Sequence, residues 1–229
     1  QHEELYSEQS FRLPHTFWCY DALTSEPNIN PLPALTADHF TFGCLNNFCK
    51  VNDGVLTLWS RILQALPTSR LILLAPAGDP RQRILQKLAI DPARVDFLGI
   101  RPRPEYLKTF TRIDLSLDTF PYNGHTTSLD SLWMGVPVLT FVGPTIVGRA
   151  GLCQLSNLNL PDFIAHHESE YLQIATSLAN NLPYLSTLRS TLRTRMQNSP
   201  LMDFPRFARD LEAAYRQMWK KWCHAQPNR

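Results

Sequence analysis

The stretch Ile113-Asp114-Leu115-Ser116-Leu117-Asp118-Thr119-Phe120-Pro121-Tyr122-Asn123-Gly124-His125-Thr126-Thr127-Ser128-Leu129-Asp130-Ser131-Leu132-Trp133 decides the fold. It opens with Ile113–Leu117, a short apolar run of the kind that fills a buried strand. It closes with Leu129, Leu132 and Trp133, the apolar face of a helix. The turn between them holds Pro, Asn and Gly. Such a turn aims the free N–H groups of a helix start at whatever binds beyond the strand, and those groups attract anions, phosphate above all. His125, Thr126 and Thr127 add donors at the mouth, and Gly124 lets the backbone come near a ligand. Thr127-x-x-Asp130 also fits a capping box, although Glu or Gln is the usual partner. Capping accounts for those two residues but not for His125 and Thr126 beside a glycine. His125 is readable as a neutral donor or as a cation.

The same alternation extends outward from this stretch. Apolar runs at Phe40–Leu45, Leu71–Leu74, Val95–Leu98 and Val136–Phe141 read as further strands, with Phe163-Ile164 as a very short sixth. Between them, Val55, Trp59, Ile62, Leu63 and Leu66 mark a helix capped by Asn52 or Asp53. Ile84, Leu85 and Leu88 mark the next, opened by Pro80. Tyr106, Leu107 and Phe110 mark a third, with Pro104 near its start. The fold class expected is α/β, a parallel sheet with helices on both faces. Ligands of such folds bind beyond the carboxyl ends of the strands, which places the loops after Leu45, Leu98 and Leu117 at one edge.

Residues 1–38 carry Pro27, Pro31 and Pro33 close together and little periodicity. They read as a linker or arm lying on another surface, and residues 39–229 as the domain proper. The tail is helical: Leu185, Leu188, Leu192 and Met196 form one stripe, and Phe204, Phe207, Leu211, Tyr215, Met218 and Trp222 another, separated by Ser199-Pro200. The second stripe reads as core or as a partner site.

With 229 residues, 44% apolar and 18% charged, the chain suits one large α/β domain or two small ones. A net charge of +2 argues against a protein that works by embracing nucleic acid or an anionic membrane, and no apolar run is long enough to span a bilayer. Cys19, Cys44, Cys49, Cys153 and Cys223 are odd in number, scattered and without a C-x-x-C pair, as expected of free thiols in a reducing cytoplasm. The polar opening Gln1-His2-Glu3-Glu4 lacks a signal-peptide pattern. His166, His167 and His224 have no partners at metal-ligand spacing, so no metal site is expected.

Two further clusters lie on the same edge. Asn47 and Lys50, three apart after the first strand, can face one ligand; an ammonium suits a phosphate oxygen and an amide donates beside it. A solvated Lys and a turn-forming Asn are the plainer reading of these two alone. Arg101-Pro102-Arg103-Pro104-Glu105-Tyr106, after the third strand, offers guanidinium groups for phosphate or a base edge and a tyrosine for stacking. A solvated loop is the plainer reading.

Taken together, these residues resemble the C-terminal half of the catalytic region of the O-linked N-acetylglucosamine transferase and SPINDLY family. The likeness runs from about Phe42 to Trp222. It is most specific over Leu117–Thr119, Asn123–Thr127, Asp130, Leu132 and Trp133, and again over Ser199–Leu201, Leu211-Glu212, Tyr215 and Gln217–Trp219. Leu13–Trp18 resembles a segment near the end of that family's N-terminal lobe. The resemblance implies a Rossmann-like lobe of a two-lobed GT-B glycosyltransferase. Such enzymes transfer a sugar from a nucleoside diphosphate to Ser or Thr of proteins, with inversion and without a metal.

Lys50 then matches the lysine that steadies the leaving diphosphate. Asn47 stands where the N-acetylglucosamine enzyme has Gln, and His125, Thr126 and Thr127 match its phosphate-binding trio. Asp130 matches the ribose carboxylate. Arg103 replaces a base-contacting Lys, Tyr106 a His, and Arg101 an Ala, so the departures gather at the base-reading loop and leave uridine and guanosine both open. The implied donor is a UDP-sugar or GDP-sugar with no other cofactor. The implied acceptor is a protein, engaged through the acceptor groove and helical repeats of a missing N-terminal region, so this lobe is expected to be inactive alone. A non-catalytic interaction module, or another GT-B enzyme acting on small molecules, is the alternative.

Overall fold

The computed structural model describes residue 4 and residues 6–23 and 27–225. The polar opening Gln1-His2-Glu3 and the residues after Ala225 lie outside the described residues. Six strands form one parallel sheet: β1 (Thr41–Cys44), β2 (Arg70–Leu74), β3 (Val95–Leu98), β4 (Leu115–Leu117), β5 (Val138–Phe141) and β6 (Ile164–Ala165), in the order β3-β2-β1-β4-β5-β6. They are short and nearly continuous in apolar burial, as parallel strands covered on both faces must be. Every strand foreseen exists. The ends differ by a residue or two, because flanking apolar residues such as Ile113 and Val136 bury without joining the ladder.

The helices are α1 (Asp53–Ala65), α2 (Asp79–Leu88), α3 (Arg103–Thr109), α4 (Thr126–Trp133), α5 (Ala150–Asn157), α6 (Glu168–Ala179), α7 (Leu182–Gln197) and α8 (Phe204–Ala225). Asn52 caps α1, its side chain accepting from the Val55 amide at 3.1 Å. The stripe Val55, Leu58, Trp59, Ile62 and Leu63 is wholly buried. α1 packs against α2 and α6, and α4 packs against α7. The sheet order reverses at β1, and right-handed crossovers running in opposite directions from that strand put these two groups on opposite faces. Helices α5 and α6 were not foreseen. Their signal is short: in α6 only Tyr171, Ala175 and Leu178 are buried. Gly135 ends α4 at φ +75°, where a side chain would also strike the Arg189 carbonyl.

The structure shows which surface the proline-rich arm lies on: that of this lobe. Tyr20 and Leu32 are buried, the Tyr20 amide donates to the Leu201 carbonyl at 2.8 Å, and the Ala34 amide donates to Asp114 Oδ1 at 2.9 Å. The second tail stripe is not core: Tyr215, Met218, Trp219 and Trp222 are exposed on α8, where Ala214 alone is buried. The spacing was helical, but α8 presents its aromatic side to solvent. No described helix is long and apolar enough to cross a membrane.

Candidate functional site

The loops that leave β1 and β4 meet at the point where the strand order reverses, where a crevice opens in folds of this class. From β1 the chain passes Asn46 and Asn47, makes a 3-10 turn at Phe48–Lys50, and enters α1 through Asn52. From β4 it passes Asp118 to His125 and enters α4. Asn46 Nδ2 donates to Thr119 Oγ1 at 3.0 Å and Asp118 Oδ1 at 3.3 Å, and Asn52 Nδ2 donates to the Phe120 carbonyl at 2.5 Å. These bonds tie the two loops into one wall.

Lys50 and His125 share that wall. Lys50 Nζ donates to the Asn123 carbonyl at 2.8 Å and sits 4.1 Å from the centre of the Tyr122 ring. The Tyr122 ring lies 5.1 Å from His125, which in turn meets Trp18 edge-on at 4.9 Å. Burial pulls the Lys50 ammonium below its usual pKa, and the nearby Asp118 carboxylate works the other way. Burial also lowers the His125 pKa, with the Lys50 charge adding to it. The imidazole is therefore held toward its neutral form, which answers the choice the sequence left open.

The start of α4 is uncapped. Its N-cap is His125, which makes no side-chain cap bond, and the first helical bond runs from the Leu129 amide to the His125 carbonyl. The amides of Thr126, Thr127 and Ser128 therefore have no acceptor within the helix. The capping-box reading is corrected. Thr127 lies inside the helix, and Asp130 is buried and engaged elsewhere, accepting from Tyr20 Oη at 2.8 Å and from Arg103 Nη2 at 2.8 Å. Thr126 stands exposed at the mouth and Thr127 is half-buried. The chain's own packing already requires glycine at 124. A Cβ there would lie 2.1 Å from Ser128 Oγ and 2.8 Å from Asn46 Oδ1, so the chain's own polar network fills the space.

Below the mouth lies Asp118, 1% exposed. Its Oδ1 accepts from the Gly124 amide at 2.6 Å and the Thr119 amide at 2.9 Å, and its Oδ2 from Thr140 Oγ1 at 2.8 Å. Burial nevertheless pushes its pKa up to about 6, against these bonds. Sequence reasoning missed Asp118 as a site residue. Its position directly after an apolar strand was the available signal, since a charge there must be bonded or lost. Tyr20 gave no local signal, being 110 residues from the carboxylate it meets.

The remaining foreseen residues flank the mouth. Asn47 is exposed, and its side-chain oxygen accepts from the Cys49 amide at 3.1 Å, leaving its amide donors outward. Arg103 forks onto Asp130, with Nη1 reaching Oδ2 at 3.3 Å and Nη2 also donating to the Ala22 carbonyl at 3.2 Å. Tyr106 is half-buried, its hydroxyl facing Asp130 and Thr127. Arg101 Nε is buried and unbonded among the described residues. The loop from β3 thus joins the wall through Arg103 and Tyr106. Among the described residues, no group of three His, Cys, Asp or Glu could hold a metal ion.

A model of glycosyl transferase family 41 matches residues 31–211. This chain belongs to that family. It is 40% identical over 223 residues to a tomato (Solanum lycopersicum) protein named probable UDP-N-acetylglucosamine–peptide N-acetylglucosaminyltransferase SPINDLY, covering 94% of this chain and 24% of that protein. It is 32% identical to the Arabidopsis thaliana protein of the same description named SEC, over 99% of this chain and 24% of that one. The chain therefore spans about a quarter of these relatives. Among solved structures, an O-GlcNAc transferase mutant of Thermobaculum terrenum superposes with a TM-score of 0.84 at 34% identity, over 97% of this chain and 43% of that one. A Staphylococcus aureus TarM structure solved with UDP has a TM-score of 0.63 at 9% identity, which shows the shared GT-B lobe alone. The expected fold, a Rossmann-like parallel sheet forming one GT-B lobe, is the fold observed.

Proposed function

We propose that this family 41 chain is the donor-binding lobe of an inverting, metal-independent protein O-glycosyltransferase, holding a UDP-sugar or GDP-sugar by its diphosphate. The observation that carries the reading is the pairing of the Lys50 ammonium with the uncapped start of α4 across the Tyr122 ring. Departure of a nucleoside diphosphate develops negative charge on its terminal phosphate. A cation and preorganised amides meet that charge without reorganising, in a site partly closed to water. A pyrophosphate beside Lys50 would restore the ammonium that burial disfavours. A neutral His125 donates a hydrogen bond without setting a second positive charge against the Lys50 ammonium.

Thr126, Thr127 and Asn47 supply further donors at the mouth, while Asp130, Arg103, Arg101 and Tyr106 form the nucleoside end. Relatives named as peptide N-acetylglucosaminyltransferases support a protein acceptor, engaged by parts of the parent outside this chain. The described cysteines are all free, which suits a cytoplasmic setting.

Calorimetry with UDP and GDP tests the reading, and no heat of binding to either at millimolar concentration would overturn it. In the longer parent, Lys50→Ala is expected to lower transfer by about 10²–10³-fold with a milder loss of nucleotide affinity. Unchanged turnover would remove Lys50 from that role. Transfer that survives a chelator is the corresponding result for metal independence.

A further inference from the structure

Asp130 is 3% exposed, and a buried carboxylate must find donors. It finds them within the chain. Tyr20 Oη and Arg103 Nη2 both reach Oδ1 at 2.8 Å, and Arg103 Nη1 reaches Oδ2 at 3.3 Å. The Arg103 fork also bonds the Ala22 carbonyl at 3.2 Å, two residues beyond Tyr20. Tyr20 is itself fixed. Its ring is buried 6.1 Å from that of Trp133, and its amide donates to the Leu201 carbonyl at 2.8 Å. The arm and the β3 loop therefore meet at Asp130, bonded to it and to each other.

With Tyr20 and Arg103 both on Oδ1, the carboxylate and the guanidinium hold each other in one pose. We infer that Tyr20 is a positioning residue of the nucleoside end of the site: with Asp130 it sets the pose of Arg103, whose guanidinium then meets the nucleoside. The inference rests on the proposed donor-binding function. It makes residues 18–22 a working part of the site.

The test is calorimetry on the full chain with UDP, GDP and inorganic pyrophosphate. Tyr20→Phe keeps the ring against Trp133 and removes only the hydroxyl. It is expected to weaken whichever nucleoside diphosphate the unaltered chain binds by about tenfold, the scale of one hydrogen bond to a charged group. Pyrophosphate, which engages only Lys50 and the start of α4, is expected to bind unchanged. In an Asp130→Asn background, Tyr20→Phe should add less than about twofold, because the two act as one unit. Arg103→Lys, which loses the fork but leaves the tyrosine, should reproduce the pattern and serves if Tyr20→Phe does not fold. Equal nucleotide affinity in Tyr20→Phe, or an equal loss for pyrophosphate, would overturn the inference while leaving the donor-binding reading intact. Absence of binding to all three ligands by the unaltered chain would instead overturn that reading, and this inference with it.

Discussion

Asp118 is ionisable, buried and surrounded by donors, and the balance between these terms is measurable. Its folded pKa of about 6 lies above the ordinary 3.8, so the folded state binds the proton more tightly than the unfolded one. For such an acid, the folded state gains below about pH 4, and that gain is lost as pH rises toward 6. The shift corresponds to a contribution on the order of 3 kcal/mol. Asp118→Asn removes the titration and keeps an oxygen for the Gly124 and Thr119 amides, while the Thr140 hydroxyl can turn to accept. Relative to the natural protein, the variant should therefore gain stability between pH 4 and pH 7. Urea denaturation at both values checks this, and a difference that does not move with pH would contradict it. The carboxylate's position was visible in the sequence, but its fourfold bonding was not, because Thr140 approaches from β5 and Asn46 from the loop after β1.

At the scale of elements, α1 and α4 begin in opposite ways. Asn52 closes the start of α1, accepting from the Val55 amide and also donating to Phe120 in the facing loop. Its loss removes a cap and a tie between loops. Asn52→Ala is expected to cost at least about 1 kcal/mol, the usual value of a cap, read as a lowered denaturation midpoint with an unchanged slope. A variant as stable as the natural protein would show that the cap is idle. α4 has no such closure, and its open amides lie at the mouth beside Lys50. Both starts were legible in the sequence, since turn residues precede an apolar stripe in each. What the sequence misread was Thr127-x-x-Asp130, because a capping pattern is local while Asp130 is claimed by Tyr20 and Arg103 from distant segments.

For the molecule as a whole, Arg189 on α7 gathers the arm and the entry to β4 around one buried charge. It is 1% exposed and donates to the carbonyls of Asn30, Ile113 and Phe110 and to Asn30 Oδ1. Burial lowers its pKa to about 10, with the Asp114 charge opposing. Arg189→Ala would strand those acceptors. A loss of about 3 kcal/mol is expected, since each buried polar group left unsatisfied costs about 1–3 kcal/mol, measured by chemical denaturation. A loss under about 1 kcal/mol would mean that the Arg189 bonds add little to the hold on the arm. The sequence by itself determined the sheet, the loops after β1 and β4 and the helix start that follows the second of them, because strand and helix periods and turn residues act within a few positions of one another. Only the tertiary structure decided that the arm lies on this lobe, that Asp130 is held by Tyr20 and Arg103, and that the aromatic side of α8 lies open. Each of those depends on which surfaces meet after the chain has closed, and contacts between residues far apart in sequence leave no local period to read.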